Sequence, residues 1–271
     1  MVAKQRVFTG LNKRLRMMGI NTQGKGSGWT AAARGFTLVE LLVVIAVIAL
    51  LMSILLPALN IAVIQARDVV CRSNLHQWAL VWRMYTDDND SAFTTESRWH
   101  KALERYYKNK RLRLCPAAKR PYGDGGRNPF GAFELDGELY SYGMNYWISV
   151  KAAAVGARPE LQWKTTEVAG TNKIPVFLDC ALWGALPWHE DMPPEYDGQY
   201  HYENTGGHQD EMRRFCLNRH RASMNGMFAD FSSRKIGLKQ LWTLEWNRNW
   251  NPYDEPPPVW PEWMRHFKDY E

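Results

Sequence analysis

Residues 41–65 contain no charged side chain, and this 25-residue stretch constrains the chain more than any other feature. About 20 apolar residues at a rise of about 1.5 Å cross a hydrocarbon core of about 30 Å. The stretch therefore predicts a membrane-spanning helix. Pro57 falls inside it. Proline is tolerated in membrane helices where neighbours re-satisfy the freed carbonyl, so a bend is expected there and not a stop. A basic segment ends at Gly35, Phe36 opens the apolar run, and one carboxylate, Glu40, stands near its start. A carboxylate in lipid costs at least a few kcal/mol unless it is paired.

A cut after Gly35 would supply the partner, because the α-amino group of Phe36 would then be a cation at neutral pH. Within one helix that amine lies four residues from Glu40. A neighbouring subunit displaced along the axis could present its amine to the same carboxylate, which would set the register of a helical stack. The cut also redistributes the charge. The formal +6 suggests an anionic partner, yet residues 1–35 carry seven basic residues and no acid, leaving 27 basic and 28 acidic residues beyond them. Nucleic-acid binding loses its main support, and the basic leader instead favours retention of that end in the cytoplasm.

Residues 35–42, Gly-Phe-Thr-Leu-Val-Glu-Leu-Leu, resemble the cleavage and methylation site of type IV pilins and type II secretion pseudopilins. The likeness covers residues 34 to about 66 and includes the proline at 57. It implies that Gly35 is the last leader residue, that Phe36 becomes the N-methylated first residue, and that Glu40 serves peptidase recognition and assembly. It also implies a single-pass inner-membrane protein with a periplasmic C-terminal domain. The partners would be copies of itself and other pseudopilins, the prepilin peptidase, an inner-membrane assembly platform and membrane lipid. A cleaved signal peptide is disfavoured, because no small-residue cleavage site follows the run.

The chain is expected to divide into a cleaved leader (1–35), a membrane half-helix (36–59), a globular domain (60–251) and a tail rich in Pro and Trp (252–271). Past the membrane the helix continues. Ile64, Cys71, Trp78 and Tyr85 recur every seven residues, with Leu75 and Trp82 interleaved, forming one apolar stripe. Arg67, Arg72, Gln77 and Arg83 form the opposite face. Asp68 breaks the stripe at a place where the helix is not expected to have met the domain. A helix over 36–88 would be about 80 Å long at about 1.5 Å per residue.

The remainder reads as α+β, a long N-terminal helix on a small antiparallel sheet. Spacing predicts a helix over 99–109, strands over 111–115, 138–150 and 174–180, and a hairpin over 224–236 turning near 231–233. Residues 116–137 read as a loop, and Leu238, Leu241 and Leu244 mark a short amphipathic helix. His220 and Asp230 keep the spacing of a His, nine residues, Asp-Gly signature shared by a large group of pilin-like proteins, with Phe231 in place of the glycine. Asn74-Leu75 with Gln77, Tyr85, Cys115-Pro116 and Tyr142-Gly143-Met144-Asn145 also resemble that group's landmarks. Together these favour a G-like pseudopilin of type II secretion. Phe at position 231 puts the turn in question, since glycine reaches positive φ without the penalty a side chain brings.

Four cysteines, Cys71, Cys115, Cys180 and Cys216, permit disulfides in an exported domain. A Cys71–Cys115 bridge would staple the helix to the next segment, and small buried thiols are the alternative. Residues 183–220 hold four histidines and seven acids, enough donors for a metal. Their spacing fits no tight zinc pattern, and Pro193-Pro194 forbid a zincin helix after His189-Glu190. A polar loop is the plain reading, with calcium more plausible than zinc there; no other cofactor is expected. There is no Gly-X-Ser-X-Gly, no Walker loop and no nucleophile with its base, so a non-catalytic chain is expected. The alternative is a monomeric anchored module that binds glycan or metal. Its glycan contacts would come from exposed members of the C-terminal tryptophans Trp242, Trp246, Trp250, Trp260 and Trp263, although burial is the commoner fate of large aromatics.

Overall fold

A computed structural model of the protein describes residues 36–94, 98–118, 120–121, 129–149, 158–199, 210–251 and 259–270. The leader with Gly35, the histidines His201 and His208 with Glu203, and the run Pro256-Pro257-Pro258 lie outside the described residues. The architecture is α+β. The chain divides into two compact units, Met1–Met52 and Ser53–Glu271.

Helix α1 spans Leu38–Asp87 and runs through Pro57. Every residue over 36–62 is solvent-exposed, Leu41, Val44, Ile48 and Leu55 among them. The helix is long and apolar enough to cross a membrane. From Asp68 onwards the stripe read from the sequence is buried, with Cys71, Leu75, Trp78 and Trp82 fully enclosed. Asp68 departs from expectation. It is buried, because Asn225 Nδ2 donates to its Oδ1 at 2.8 Å and Lys235 Nζ stands 3.5 Å from Oδ2.

Two sheets form the rest of the second unit. Strands β1 (Arg120–Pro121), β2 (Gly131–Leu135) and β3 (Glu138–Tyr140) make the smaller one in that order. Strands β4 (Tyr142–Asn145), β5 (Pro175–Asp179), β6 (Gly184–Ala185), β7 (Ser223–Phe228) and β8 (Ser233–Gly237) make the larger, in the order β6-β4-β5-β7-β8. The sheets are mixed and not antiparallel throughout, since β1–β2 and β4–β6 run parallel. Strands β4, β5 and β7 are buried at every position, including the polar Asn145, Ser223 and Asn225. Phe177 on β5 receives Trp78 and Trp82 of α1 at ring-centroid distances of 5.1 and 6.0 Å, and Trp99 at 4.7 Å.

The hairpin and the β5 strand lie where the sequence places them, and several other segments do not. The helix expected over 99–109 is only α2 (Trp99–Ala102), followed by a 3-10 turn at Glu104–Tyr106. The strand expected over 111–115 is a 3-10 turn, Lys110–Arg113, because the Asn109 side chain accepts the Arg111 N–H and closes the chain locally. The strand over 138–150 is two strands belonging to different sheets, ended by a 3-10 turn at Tyr146–Ile148 that the Asn145 side chain caps. The loop over 116–137 contains β1 and β2, and the helix near Leu238 is a 3-10 turn, Lys239–Thr243. The landmark Gly143 has a steric cause: a Cβ there would stand 2.7 Å from both Cβ and Sγ of Cys180.

The C-terminal tryptophans are mainly core. Trp242, Trp246 and Trp250 are buried, and Trp260 and Trp263 pack against the core. Their indole N–H groups tie loops down: Trp242 donates to Asp191 O at 2.9 Å and Trp263 to Pro194 O at 2.8 Å. The tail returns to the domain, where Lys239 Nζ meets Asp269 Oδ1 at 2.7 Å.

Candidate functional site

At the start of α1, Glu40 does find a partner, within its own chain. Its Oε2 accepts the Thr37 backbone N–H at 2.9 Å and the Thr37 hydroxyl at 2.8 Å, while Thr37 Oγ1 accepts the Glu40 N–H at 3.2 Å. This reciprocal pair is a capping box that satisfies two orphan donors at the helix N-terminus. Thr37 was missed in the sequence, although Thr-X-X-Glu before an apolar run is its signature. Phe36 and Glu40 are both exposed.

The second unit brings together four donor side chains from four places in the chain. Cys71 comes from α1, Cys115 from the turn after Lys110–Arg113, Asp179 from the end of β5 and His220 from the segment before β7. All four are buried, and their ligand atoms lie within 4.8 Å of one another. Cys71 Sγ is 3.5 Å from Asp179 Oδ2, Cys115 Sγ is 3.4 Å from His220 Nε2, and His220 Nε2 is 3.2 Å from Asp179 Oδ2. Of the two alternatives for Cys71 and Cys115, the bridge is not formed and buried thiols are found: Cys71, Cys115, Cys180 and Cys216 are all free. The pair is nevertheless adjacent, and its sulfurs turn towards the imidazole and carboxylate.

A second layer holds these groups. Tyr142 donates its hydroxyl to Cys71 Sγ at 3.3 Å, and the Asn225 N–H donates to Asp179 Oδ2 at 3.0 Å. Arg219, fully buried, donates to Asp179 Oδ1 at 3.0 Å and to the carbonyls of Pro129, Gly131, Ser141 and Cys180. His220 Nδ1 faces Asp68 Oδ1 at 3.8 Å. Burial opposes the charge on Asp179, but His220 and Arg219 hold its carboxyl well below the usual range. Burial likewise opposes the imidazolium of His220, which Asp179 and Cys115 raise to about 10. For Cys115, burial is outweighed by hydrogen bonds from Cys71 and His220, which bring the thiol down to about 7. Burial pushes the Cys71 thiol well up.

Several landmarks surround this cluster. Asn74 donates to Leu114 O at 3.1 Å and so holds the backbone beside Cys115, while Tyr142 touches the cluster directly and Cys115 and His220 belong to it. Asp230 accepts the Ser232 N–H and hydroxyl, and Phe231 adopts φ +60°, so the turn keeps the left-handed conformation glycine would take. Cys71 and Cys115 were read in the sequence as a stripe position, a landmark and a pair that either bridges or stays as buried thiols, and not as ligands, while Asp179, Arg219 and Asp68 drew no functional reading. Cys71 and Asp179 are 108 residues apart, beyond the reach of any local pattern.

In the 183–220 segment, Asp191 is buried and accepts the N–H groups of Trp188, Asp210 and Met212. Asp210 Oδ1 accepts the Met192 N–H, and Glu211 Oε2 the Leu186 N–H. These acids organise the loop through its backbone. A cleft of about 310 Å³ lined by Trp99, His100, Asp136 and Trp183 has its carboxylate, Asp136, paired with Arg98, His100 and Lys101.

Residues 30–56 match the family model of the prokaryotic N-terminal methylation motif. Among curated proteins the chain is similar to the type IV wide pilus major component PilA4 of Thermus thermophilus, 46% identical over 59 residues. The match covers 22% of this chain and 45% of that protein, so the chain spans less than half the length of its curated relative. No solved structure matches. The exposed apolar helix headed by Phe36 and Glu40 thus begins within the segment that matches the methylation motif, and 59 residues of the chain are similar to a type IV pilus component.

Proposed function

We propose that this protein is a non-catalytic subunit of a pilus-like fibre, either a type II secretion pseudopilus or a type IV pilus. It is inserted in the inner membrane, cut after Gly35, methylated on Phe36 and assembled through its N-terminal helix. The observation that carries the reading is α1 itself: apolar and exposed on all sides over 38–62, it begins beside a lone carboxylate. Lipid satisfies such a surface in the monomer, and equivalent helices of other subunits satisfy it in a fibre. The C-terminal domain then lies in the periplasm, and the partners are copies of itself, other pilins or pseudopilins, the peptidase and the assembly platform.

Glu40 has two states on this reading. In the membrane monomer the Thr37 capping box holds it. In the fibre it exchanges that contact for the ammonium of a neighbour's Phe36, which is the stronger partner in a low-dielectric bundle. Glu40→Gln keeps the length and most hydrogen bonds but removes the charge. Membrane insertion should be unchanged while co-assembly with the wild-type protein falls severalfold, read by sheared-fibre or crosslinking yield. Undiminished co-assembly would favour the monomeric anchored module instead.

A further inference from the structure

The geometry points to a structural zinc site formed by Cys71, Cys115, Asp179 and His220, which clamps the buried part of α1 to the larger sheet. With Zn–S of about 2.3 Å and Zn–N and Zn–O of about 2.0–2.2 Å, a tetrahedral ion sets ligand-to-ligand edges of about 3.6 Å for S–O and S–N and about 3.4 Å for N–O. The corresponding distances here are 3.5 Å for Cys71 to Asp179, 3.4 Å for Cys115 to His220 and 3.2 Å for His220 to Asp179. These three of the six edges agree to within about 0.2 Å of those values, and all six lie within 4.8 Å.

The donor chemistry selects the ion. Two thiolates with an imidazole and one carboxylate suit zinc and reject calcium, which requires six to eight oxygens. Four buried protein ligands leave no open coordination position, the mark of a structural site and not a catalytic one. Binding displaces the protons on the two sulfurs and on His220 Nε2, which leave to solvent, and with the imidazole neutral the thiolates, Asp179, Arg219 and the ion then sum to zero charge. Outer-shell groups stand close by. Among the described residues His220 Nδ1 has no hydrogen-bond partner, and Asp68 Oδ1, 3.8 Å away and too far to accept as it stands, is the kind of acceptor that a metal-bound histidine ordinarily uses. Tyr142 and the Asn225 N–H donate to the ligating Cys71 and Asp179. This role for the thiol pair also explains why the sulfurs meet the imidazole and carboxylate.

The test is a cobalt(II) titration of the full chain in detergent, followed by displacement with zinc. The expected result is one equivalent per chain, with a thiolate-to-cobalt charge-transfer band sized for two thiolates and the intense visible bands of a tetrahedral site. Cys115→Ser should abolish the two-thiolate spectrum, while Cys180→Ser and Cys216→Ser, outside the cluster, should retain it. Should Cys115→Ser fail to fold, the band intensity of the wild-type protein still counts the thiolates. A wild-type protein that takes up no cobalt, a spectrum that survives in folded Cys115→Ser, or a Cys71–Cys115 disulfide mapped in the freshly purified protein would each overturn the assignment.

Discussion

Arg219 shows how much one residue holds together. Its guanidinium serves four carbonyls and Asp179 with no exposure to solvent, and joins residues 129–131 to the end of β5. A lysine has neither the planar fork nor enough donors for this arrangement. Arg219→Lys should therefore cost about 3 kcal/mol or more, the usual penalty for leaving a buried charge and several carbonyls underserved, measured by chemical denaturation. A loss under about 1 kcal/mol would contradict this role. Phe231 is a strained residue with a local cause. A left-handed non-glycine residue costs about 1–2 kcal/mol, and the ring also packs on the core and lies 5.9 Å from the Arg83 guanidinium. Phe231→Ala and Phe231→Gly both remove the ring, so their difference isolates the backbone. The glycine variant should be the more stable by about 1 kcal/mol, and equal stabilities would refute the strain. The sequence pointed to this position only through its departure from a signature, and it could not distinguish a lost turn from a strained one.

Element by element, legibility followed the strength of the local pattern. Helix α1 was readable because a sevenfold apolar recurrence continues directly from an uncharged run. Strand β5 was readable as a dense apolar segment, and the β7–β8 hairpin through the turn between its strands. The 3-10 turns were not, since Asn109 and Asn145 divert the backbone with side-chain hydrogen bonds that propensity does not count. Strand β2 was hidden by its Gly- and Pro-rich neighbours. Asn145 does more than cap. Its Nδ2 donates to Pro175 O at 2.9 Å and Trp246 O at 3.0 Å, and its Oδ1 accepts the Trp147 N–H. Asn145→Ala should lower stability by about 3 kcal/mol, from buried groups left unpaired at about 1–3 kcal/mol each. A change under about 1 kcal/mol in the unfolding free energy would show that those groups find other partners.

The loop around Asp191 supplies a pH signature. Burial raises its carboxyl to about 7, against the N–H groups of Trp188 and Met212 and with Asp210 and Glu211 adding like charge. A folded pKa above the unfolded value of about 3.9 means a stabilising contribution that is complete below about 4 and lost as pH rises through about 7. The thermal midpoint of the full chain in detergent should decline over that window, and Asp191→Asn should flatten the decline. Identical slopes for the two proteins would remove Asp191 as the cause.

For the whole molecule, the basic character of the full sequence resides in residues 1–35, and processing would leave a chain close to neutral. The likeness to the methylation motif was legible because that motif is contiguous, over residues 30–56. The buried cluster was not, because its members lie in four separate segments and only folding assembles them. Assembly through α1 requires that the leader be removed, and the mass and modification of the N-terminal peptide of the protein isolated from its native membrane address this directly. The expected peptide begins at N-methylated Phe36. An intact leader of 35 residues on protein that still enters fibres would contradict the account.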